Sequence, residues 1–344
     1  MKRIAIIGGG VAGLTAALAL KGDEIEVVVF EKSRGLGGRV ASRGRAGIRY
    51  DHGANYFCAD SDRVQKLVYA DLPSVDLIEI AAPVQPFPQT GPAPALMPAP
   101  RRLNYRHGIS QLAKLLGAAS GASIEHEVQI ERLMHVKNGW RLIAEGERVF
   151  NDFDAVLLTP PAPQSAVIIE TSEMDATLRY TLSKALRKAR YESQLCFVLG
   201  YERLDMLEVD WYAQVDTERR RPLSWLAMEH AKAGHVPAGQ HVLLIQMASS
   251  WSTRHYLEPF DTLLPDVLTQ VRQLLPALPE PAWHDAQRWR FARATTPADI
   301  EALAVGRPQG LFFAGDAIAS RSRVERAIES GLDAAGEIRQ ALGV

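Results

Sequence analysis

Cysteine is nearly absent from this chain: Cys58 and Cys196 are the only two in 344 residues. Two cysteines cannot build a disulfide framework, and these two lack metal-ligand spacing, so neither a disulfide-stapled domain nor a metal site is expected. They read as small buried residues. An excess of charge is missing too. Against 39 Lys and Arg stand 40 Asp and Glu, a net charge of -1, which removes broad electrostatic attraction to nucleic acid or an anionic membrane. Beyond the first twenty residues no apolar run approaches the roughly 18 to 20 residues that span a bilayer. No internal repeat stands out, and no carboxylate pair or Ser-His arrangement marks a hydrolytic site. What remains is an ordinary globular composition, 47% hydrophobic and 23% charged, long enough for one large domain or two interleaved ones.

What the sequence does contain begins at residue 1. "MKRIAIIGGGVAGLTAALAL" places Lys2 and Arg3 before an apolar stretch ending in Ala17, Leu18 and Ala19, the layout of a secretory signal peptide. The same residues also read as a strand over residues 4–7, a glycine turn and a helix. Gly8, Gly10 and Gly13 fit G-x-G-x-x-G, in which the glycines give a tight turn, a close backbone approach to a pyrophosphate and close helix-strand packing. Val11 and Ala12 then open a helix whose N-terminal N–H groups and dipole face the phosphates. The second strand decides between the two readings. "EIEVVVF", residues 24–30, is a β-branched run, and Glu31 follows it directly, about 20 residues after the glycines, where a carboxylate accepts hydrogen bonds from the adenosine ribose. A signal peptide accounts for none of this, so the expectation is a nucleotide site in a cytoplasmic protein. A carboxylate at the ribose also repels a 2′-phosphate, which favours FAD or NAD over NADP.

Three further stretches favour FAD. Lys32 leads into "SRGLGGR", a second glycine-rich loop in which Gly38 and Arg39 can bring N–H groups and a guanidinium to the same pyrophosphate. "DHGANYF", residues 51–57, follows, with Gly53 and Ala54 small enough for a flat ring to lie against the backbone. Near the other end, "GLFFAGDAIASRSRVERAIESGLDAAGEIRQAL" reads as a buried strand over residues 311–314, the Gly315-Asp316 turn, and a helix over residues 324–342. Asp316 is placed to accept from ribityl hydroxyls. The helix beginning near Arg323, Val324 and Ala327 points its N-terminus at the flavin edge, where negative charge gathers on reduction.

These residues resemble the flavin amine oxidase superfamily, and within it the bacterial renalases. The resemblance is carried by "EKSRGLGGR", "DHGANYF", "PLSWLA", "QMASSWSTRHYLE", "QRWRFARA" and the Gly315, Asp316, Arg323, Val324 and Glu325 set, and it runs over nearly the whole chain. It implies an α/β fold: a p-hydroxybenzoate-hydroxylase-like, Rossmann-type FAD-binding domain interleaved with an α+β mixed-sheet substrate domain. The FAD domain is expected from residues 1–75, 101–161 and 295–344, the substrate domain from residues 76–100 and 162–294. The Pro-rich residues 76–100 are expected over the surface or the site, since so many prolines cannot serve a central strand. Val128 stands where such proteins place a backbone contact to adenine.

The resemblance further implies non-covalent FAD and oxidation of 2-dihydro or 6-dihydro isomers of NAD(P), with O2 as acceptor. A hydride then passes to flavin N5, which asks for two rings held face to face rather than for acids and bases. No catalytic acid or base is therefore assigned. Expected pocket walls are Tyr56, Phe57, Trp225, Trp251, Trp289 and Phe291, with Asn55, Arg254 and Arg293 orienting the substrate; Asn55 and Tyr56 also adjoin the cofactor. Core packing is the competing reading for each tryptophan, and His241 and His255 read as structural. There are departures: Arg326 stands where the renalase pattern has a small residue, an extra residue lies between Asp316 and Arg323, and Ala317 and Ile328 replace common tryptophans. Two competitors stay open. One is another flavoenzyme acting on an amine or alkene, although amine oxidases place a lysine near flavin N5 and none of Lys184, Lys188 and Lys232 convinces. The other is a flavin-free binding protein on the same fold.

Overall fold

The first sheet carries five parallel strands in the order Leu311–Phe313, Ala155–Leu158, Lys2–Ile7, Ile25–Glu31 and Ser123–His126. In a computed structural model, residues 1–88, 100–202, 204–319 and 322–344 are described. The aliphatic runs "IAII" and "VVVF" are buried on both faces, as a parallel sheet covered on both sides requires. One face is covered by the helices Val11–Ala19, Ser110–Ser120 and Val324–Leu342, which close a core around Ile4, Ile6, Leu14, Val29, Leu112 and Ile338. The other carries the antiparallel strands Ile130–Val136, Gly139–Ala144 and Arg148–Phe153.

The helices Ala162–Thr171 and Ala176–Arg187, expected with the substrate half, pack on this second face instead. Ala162, Ala166 and Ile169 of one, with Leu182, Ala185 and Leu186 of the other, join Ala5, Phe30 and Trp140 in a single core. Apolar residues three and four apart form one stripe on each helix, and that stripe has to be covered.

A second, six-stranded sheet has the order Trp283–Thr296, Arg190–Tyr201, His241–Met247, Leu223–Met228, Ala213–Val215 and Val84–Pro86. Its strands alternate between two faces. Leu195, Phe197 and Leu199 pack with Leu263, Val267 and Val271 of the helix Phe260–Arg272. Cys196 and Val198 point the other way, onto Ile48 and Tyr50 of the Arg43–Arg45 and Ile48–Tyr50 hairpin. From the Pro-rich segment, Val84–Pro86 is an edge strand, paired among the described residues with Ala213–Val215 alone; the expectation for residues 89–99 lies outside the described residues. No helix among the described residues is long and apolar enough to cross a membrane.

The N-terminal helix and the Val324–Leu342 helix meet closely enough that a Cβ built on Gly331 would lie 2.4 Å from the Ala12 carbonyl oxygen. Gly331→Ala is therefore expected to cost about 1 to 3 kcal/mol by overpacking, read as a lower urea midpoint at unchanged m-value.

Candidate functional site

The turn between Lys2–Ile7 and Val11–Ala19 forms one end of the site. Gly8 N donates to the Phe30 carbonyl at 2.8 Å and Gly37 N to the Gly9 carbonyl at 2.8 Å, so the second glycine loop is laid against the first. A Cβ on Gly13 would lie 2.2 Å from the Gly8 carbonyl oxygen: Gly13 packs the turn and does not line the cavity. A Cβ on Gly10 would meet nothing within 4 Å, because that position opens into the cavity. The buried Glu31 carboxylate accepts from Gly9 N and Ser33 N, each at 2.8 Å. Two of its roughly four acceptor positions stay available, and Glu31 lines the cavity. Val128 lines it too, with its own N–H donated to the Glu31 carbonyl at 3.0 Å.

The centre of the site joins distant parts of the chain. Arg39 grips Asp316 through both guanidinium nitrogens, at 2.5 and 2.8 Å. Asp316 also accepts from the Tyr191 hydroxyl at 3.0 Å and the Ser322 hydroxyl at 2.8 Å. Burial alone would raise the Asp316 carboxyl, but the hydrogen bond and charge of Arg39 hold it below the usual carboxylate range. Asp316 is thus an ionised acceptor already oriented by three side chains. Tyr191 and Ser322 carried no sequence signal, since a tyrosine at the start of a strand and a serine in a loop resemble many others.

The segment after residue 50 is fixed from beneath by a buried charge cluster. Asp51 accepts from Ser42 Oγ at 2.6 Å, Ile109 N at 3.0 Å, Asn104 Nδ2 at 2.8 Å and Lys232 Nζ at 2.8 Å. Lys232 also donates to Glu229 at 2.7 Å, and all three charged groups are inaccessible to solvent. His235 lies between Glu229, 2.9 Å from Nδ1, and the Tyr105 carbonyl, 3.0 Å from Nε2. Atoms of Asp51, Glu229 and His235 converge within 4.8 Å, the spacing of a metal site, but the Lys232 ammonium already bonds both carboxylates. Directly above this cluster His52, Gly53, Ala54, Asn55 and Tyr56 line the cavity. Ala54 N donates to the Arg39 carbonyl at 2.9 Å. Asn55 donates to the Asp51 and Gly53 carbonyls, and its Oδ1 has no partner among the described residues.

Across from this segment stands the six-stranded sheet. The Trp289 indole N–H donates to the His52 carbonyl at 2.7 Å, and its ring stacks on the His52 imidazole with centroids 5.4 Å apart. Gln246 Nε2 reaches the Gly53 carbonyl at 2.9 Å. Tyr56 and Trp225 tilt together at 6.2 Å, and Phe291 meets Tyr191 edge-on at 5.5 Å. Trp225, Trp289, Phe291 and Arg293 all line the cavity, the last held by Glu192. Three expected pocket residues lie elsewhere. Phe57 is buried in the first core, stacked with Tyr105, because it points opposite to Tyr56. Trp251 lies on the short helix Ser249–Arg254, turned into the core under the second sheet, with its indole N–H on Asp266. Arg254, at the end of that helix, is exposed and outside the cavity. His241 accepts from Leu204 N and His255 faces Glu258, both away from the cavity.

The departures near Asp316 also resolve. Arg326, which stands where the renalase pattern has a small residue, turns outward to Asp60 at 2.8 Å and to Glu329. Ala317 and Ile328 are core residues. The side of the helix that meets the cavity carries Arg323, Val324, Glu325 and Ala327. Burial raises the Glu325 carboxyl above its ordinary range, and it accepts from Cys58 N at 3.4 Å.

All these walls enclose one cavity of about 2240 Å³, well above the roughly 300 to 1,000 Å³ of an ordinary ligand pocket. The donor set suits FAD. Gly10 leaves room for a pyrophosphate, Glu31 keeps acceptor positions for ribose hydroxyls, and Gly315 and Asp316 stand farther along the same cavity. Neither Cys58 nor Cys196 lines it, so no thiol is offered for a covalent flavin.

Two predictions test this geometry. Gly10→Val places its Cβ in open space and should leave the fold and urea midpoint intact while the purified protein loses its yellow colour; Glu31→Ala should lose it as well, and colour retained in both overturns the nucleotide assignment. The second concerns His52, whose imidazole is pushed down to about 4 by burial and then by the charge of Arg43. Below its ordinary value of 6.5 the unfolded chain binds the extra proton and the folded chain does not, so this group's contribution is full above pH 6.5 and lost as pH falls towards 4. Between pH 7 and 5 it should account for about 2 kcal/mol of lost stability, a share that vanishes from urea titrations of His52→Gln.

Comparison with known proteins agrees with the architecture. Residues 6–71 match the NAD(P)-binding Rossmann-like domain, and residues 88–339 match the flavin containing amine oxidoreductases. Protoporphyrinogen oxidase 2 of Arabidopsis thaliana is 44% identical over 54 residues, which are 16% of this chain and 11% of that protein. Among solved structures, one provisionally assigned as a protoporphyrinogen oxidase from Exiguobacterium sp. 255-15 superposes with a TM-score of 0.80 at 15% identity, covering 100% of this chain and 99% of the other. Cyclohexylamine oxidase from Brevibacterium oxydans IH-35A gives 0.77 at 14% identity over 100% of both chains. At such identities these likenesses show the fold alone. The match over residues 88–339 shows the family: this chain belongs to the flavin-containing amine oxidoreductases and is an FAD-dependent oxidoreductase that holds its cofactor non-covalently.

Proposed function

We propose that this protein is an FAD-dependent oxidase of renalase type, which oxidises 2-dihydro or 6-dihydro isomers of NAD(P) to NAD(P)+ and, with O2 and a proton, yields hydrogen peroxide. The observation that carries this reading is the aromatic character of the substrate side. Tyr56, Trp225, Trp289 and Phe291 wall it, and the described lysines lining the cavity, Lys32 and Lys114, follow the Ile25–Glu31 strand or lie on the Ser110–Ser120 helix, away from the second sheet. FAD, when bound, supplies a hydride acceptor and passes two electrons onward. The chain's own part is to hold a flat ring in place and exclude water. Trp289 is suited to this, because its indole N–H is anchored on the His52 carbonyl and its ring is backed by His52. His52 itself stays neutral near pH 7, so it adds no charge beneath a ring.

A second reading, an oxidase acting on an amine, is supported by the family match and by the similarity in fold to cyclohexylamine oxidase. Anaerobic stopped-flow absorbance separates the two. Mixing the protein with 2-dihydro-NAD, 6-dihydro-NAD, NADH and a panel of amines should give rapid bleaching of the flavin band with a dihydro-NAD isomer, and peroxide once air is admitted. Bleaching by an amine alone overturns the renalase reading in favour of the second.

A further inference from the structure

We propose that the reductant is an anion recognised at the rim of the cavity by Arg290, and that charge turns cationic amines away; this deepens the functional reading above and rests on it for the place where the substrate enters. The starting point is an imbalance. The chain as a whole has 39 basic and 40 acidic residues, yet the cavity is lined by 13 Lys and Arg against six Asp and Glu. Three of these arginines face carboxylates just outside the lining, Arg43 on Asp285, Arg132 on Glu147 and Arg187 on Glu170, which leaves a basic excess of four around the cavity of a chain that has none overall. The two phosphates of FAD offset only part of it. A cleft lined by one sign of charge focuses the field and raises the local concentration of oppositely charged ligands.

The second observation locates the recognising group. Along the strand Trp283–Thr296, Gln194 pairs with Trp289 and Glu192 with Arg293, so residues 290–292 stand opposite the single residue Ser193. Such a bulge breaks the ladder and re-aims side chains, and bulges gather next to active sites. Arg290 sits in it between two aromatic wall residues. It is exposed and lines the cavity, with its guanidinium 5.5 Å from the centroid of the Phe291 ring. Neighbouring cavity arginines are occupied: Arg43 by Asp285, Arg293 by Glu192 and Arg187 by Glu170. Among the described residues no carboxylate lies within ion-pair distance of Arg290. An arginine with a free planar fork beside an aromatic wall is suited to carboxylate or phosphate. A protonated amine on the same path meets an uncompensated positive charge.

The test uses the FAD-loaded protein and non-reducing probes, so it does not depend on turnover. ADP-ribose, inorganic pyrophosphate and butane-1,4-diamine are titrated into wild type, Arg290→Lys, Arg290→Gln and Arg290→Glu while the flavin absorbance is followed, at about 20 mM and about 300 mM salt. Flavin content and urea midpoint confirm that each exposed-site variant is folded. ADP-ribose is expected to bind wild type and Arg290→Lys, to bind Arg290→Gln about tenfold more weakly and Arg290→Glu more weakly still, with the differences shrinking at high salt; the diamine is expected to bind none except Arg290→Glu. Equal ADP-ribose affinity across the series, or diamine binding to wild type as tight as ADP-ribose, overturns the proposal. If no dihydro-NAD isomer bleaches the flavin but anion binding still follows residue 290, the renalase reading fails and the anionic substrate class stands.

Discussion

The buried cluster of Asp51, Lys232, Glu229 and His235 is the constraint on which the arrangement of the site depends. Asp51 belongs to the polypeptide that leaves the first glycine-rich half, whereas Glu229, Lys232 and His235 follow the Leu223–Met228 strand of the second sheet. Charged groups held without solvent gain little net stability, since desolvation offsets most of their attraction. Removing any one of them, however, leaves a partner buried and unpaired, at a cost of about 3 to 5 kcal/mol. Such a cluster tolerates one geometry. It thereby sets where the two sheets stand relative to each other, and the stretch from His52 to Tyr56, immediately after Asp51, inherits that position. Trp289 and Gln246, on two strands of the second sheet, then reach across to the carbonyls of His52 and Gly53, so that sheet also fixes the cavity wall by direct hydrogen bonds.

A second clamp acts at the cofactor end. Arg39 comes from the glycine loop, Asp316 from the turn after Leu311–Phe313, and Tyr191 from the long strand of the second sheet. An acceptor held by three donors is preorganised: it need not pay for reorientation when a polyhydroxyl chain arrives. The same residues carry opposite charges in contact, so the excess of basic groups in the cavity comes from other side chains. The family name speaks of amines, while the walls of this cavity carry a charge that disfavours them. Both are compatible, because a fold of this kind sets where the flavin lies and the side chains of the second sheet set what reaches it.

Much of this was legible in the sequence where chemistry is local. The G-x-G-x-x-G turn, Glu31 and the Gly315-Asp316 turn are each defined by a few neighbouring residues, and their strands and helices follow from short apolar runs with ordinary flanks. The helix Val324–Leu342 begins and ends where its pattern places it. Orientation was harder. Tyr56 and Phe57 are adjacent, so one faces the cavity and the other the core, and only the fold decides which. Arg326 sits one position from Ala327, about 100° around the helix, enough to carry it out to Asp60. Trp251 lies in a motif beside Gln246, which places it with the wall residues by sequence, yet a short helix intervenes and turns it beneath the sheet. The charge cluster was illegible for a different reason: Asp51 and Lys232 are 181 positions apart, and neither stands in a pattern that announces the other.

The strand Leu311–Phe313 pairs with Ala155–Leu158, which pairs with Lys2–Ile7. On a ribosome the glycine turn emerges first and waits for roughly three hundred residues before Asp316 can join it. Non-local pairing of this kind is slow, and the loops it closes are long. A flavin meeting the nascent chain finds half a site, with Arg39 exposed and without its carboxylate partner. A complete flavin site therefore exists only after the Leu311–Phe313 strand has joined the sheet and Asp316 has met Arg39.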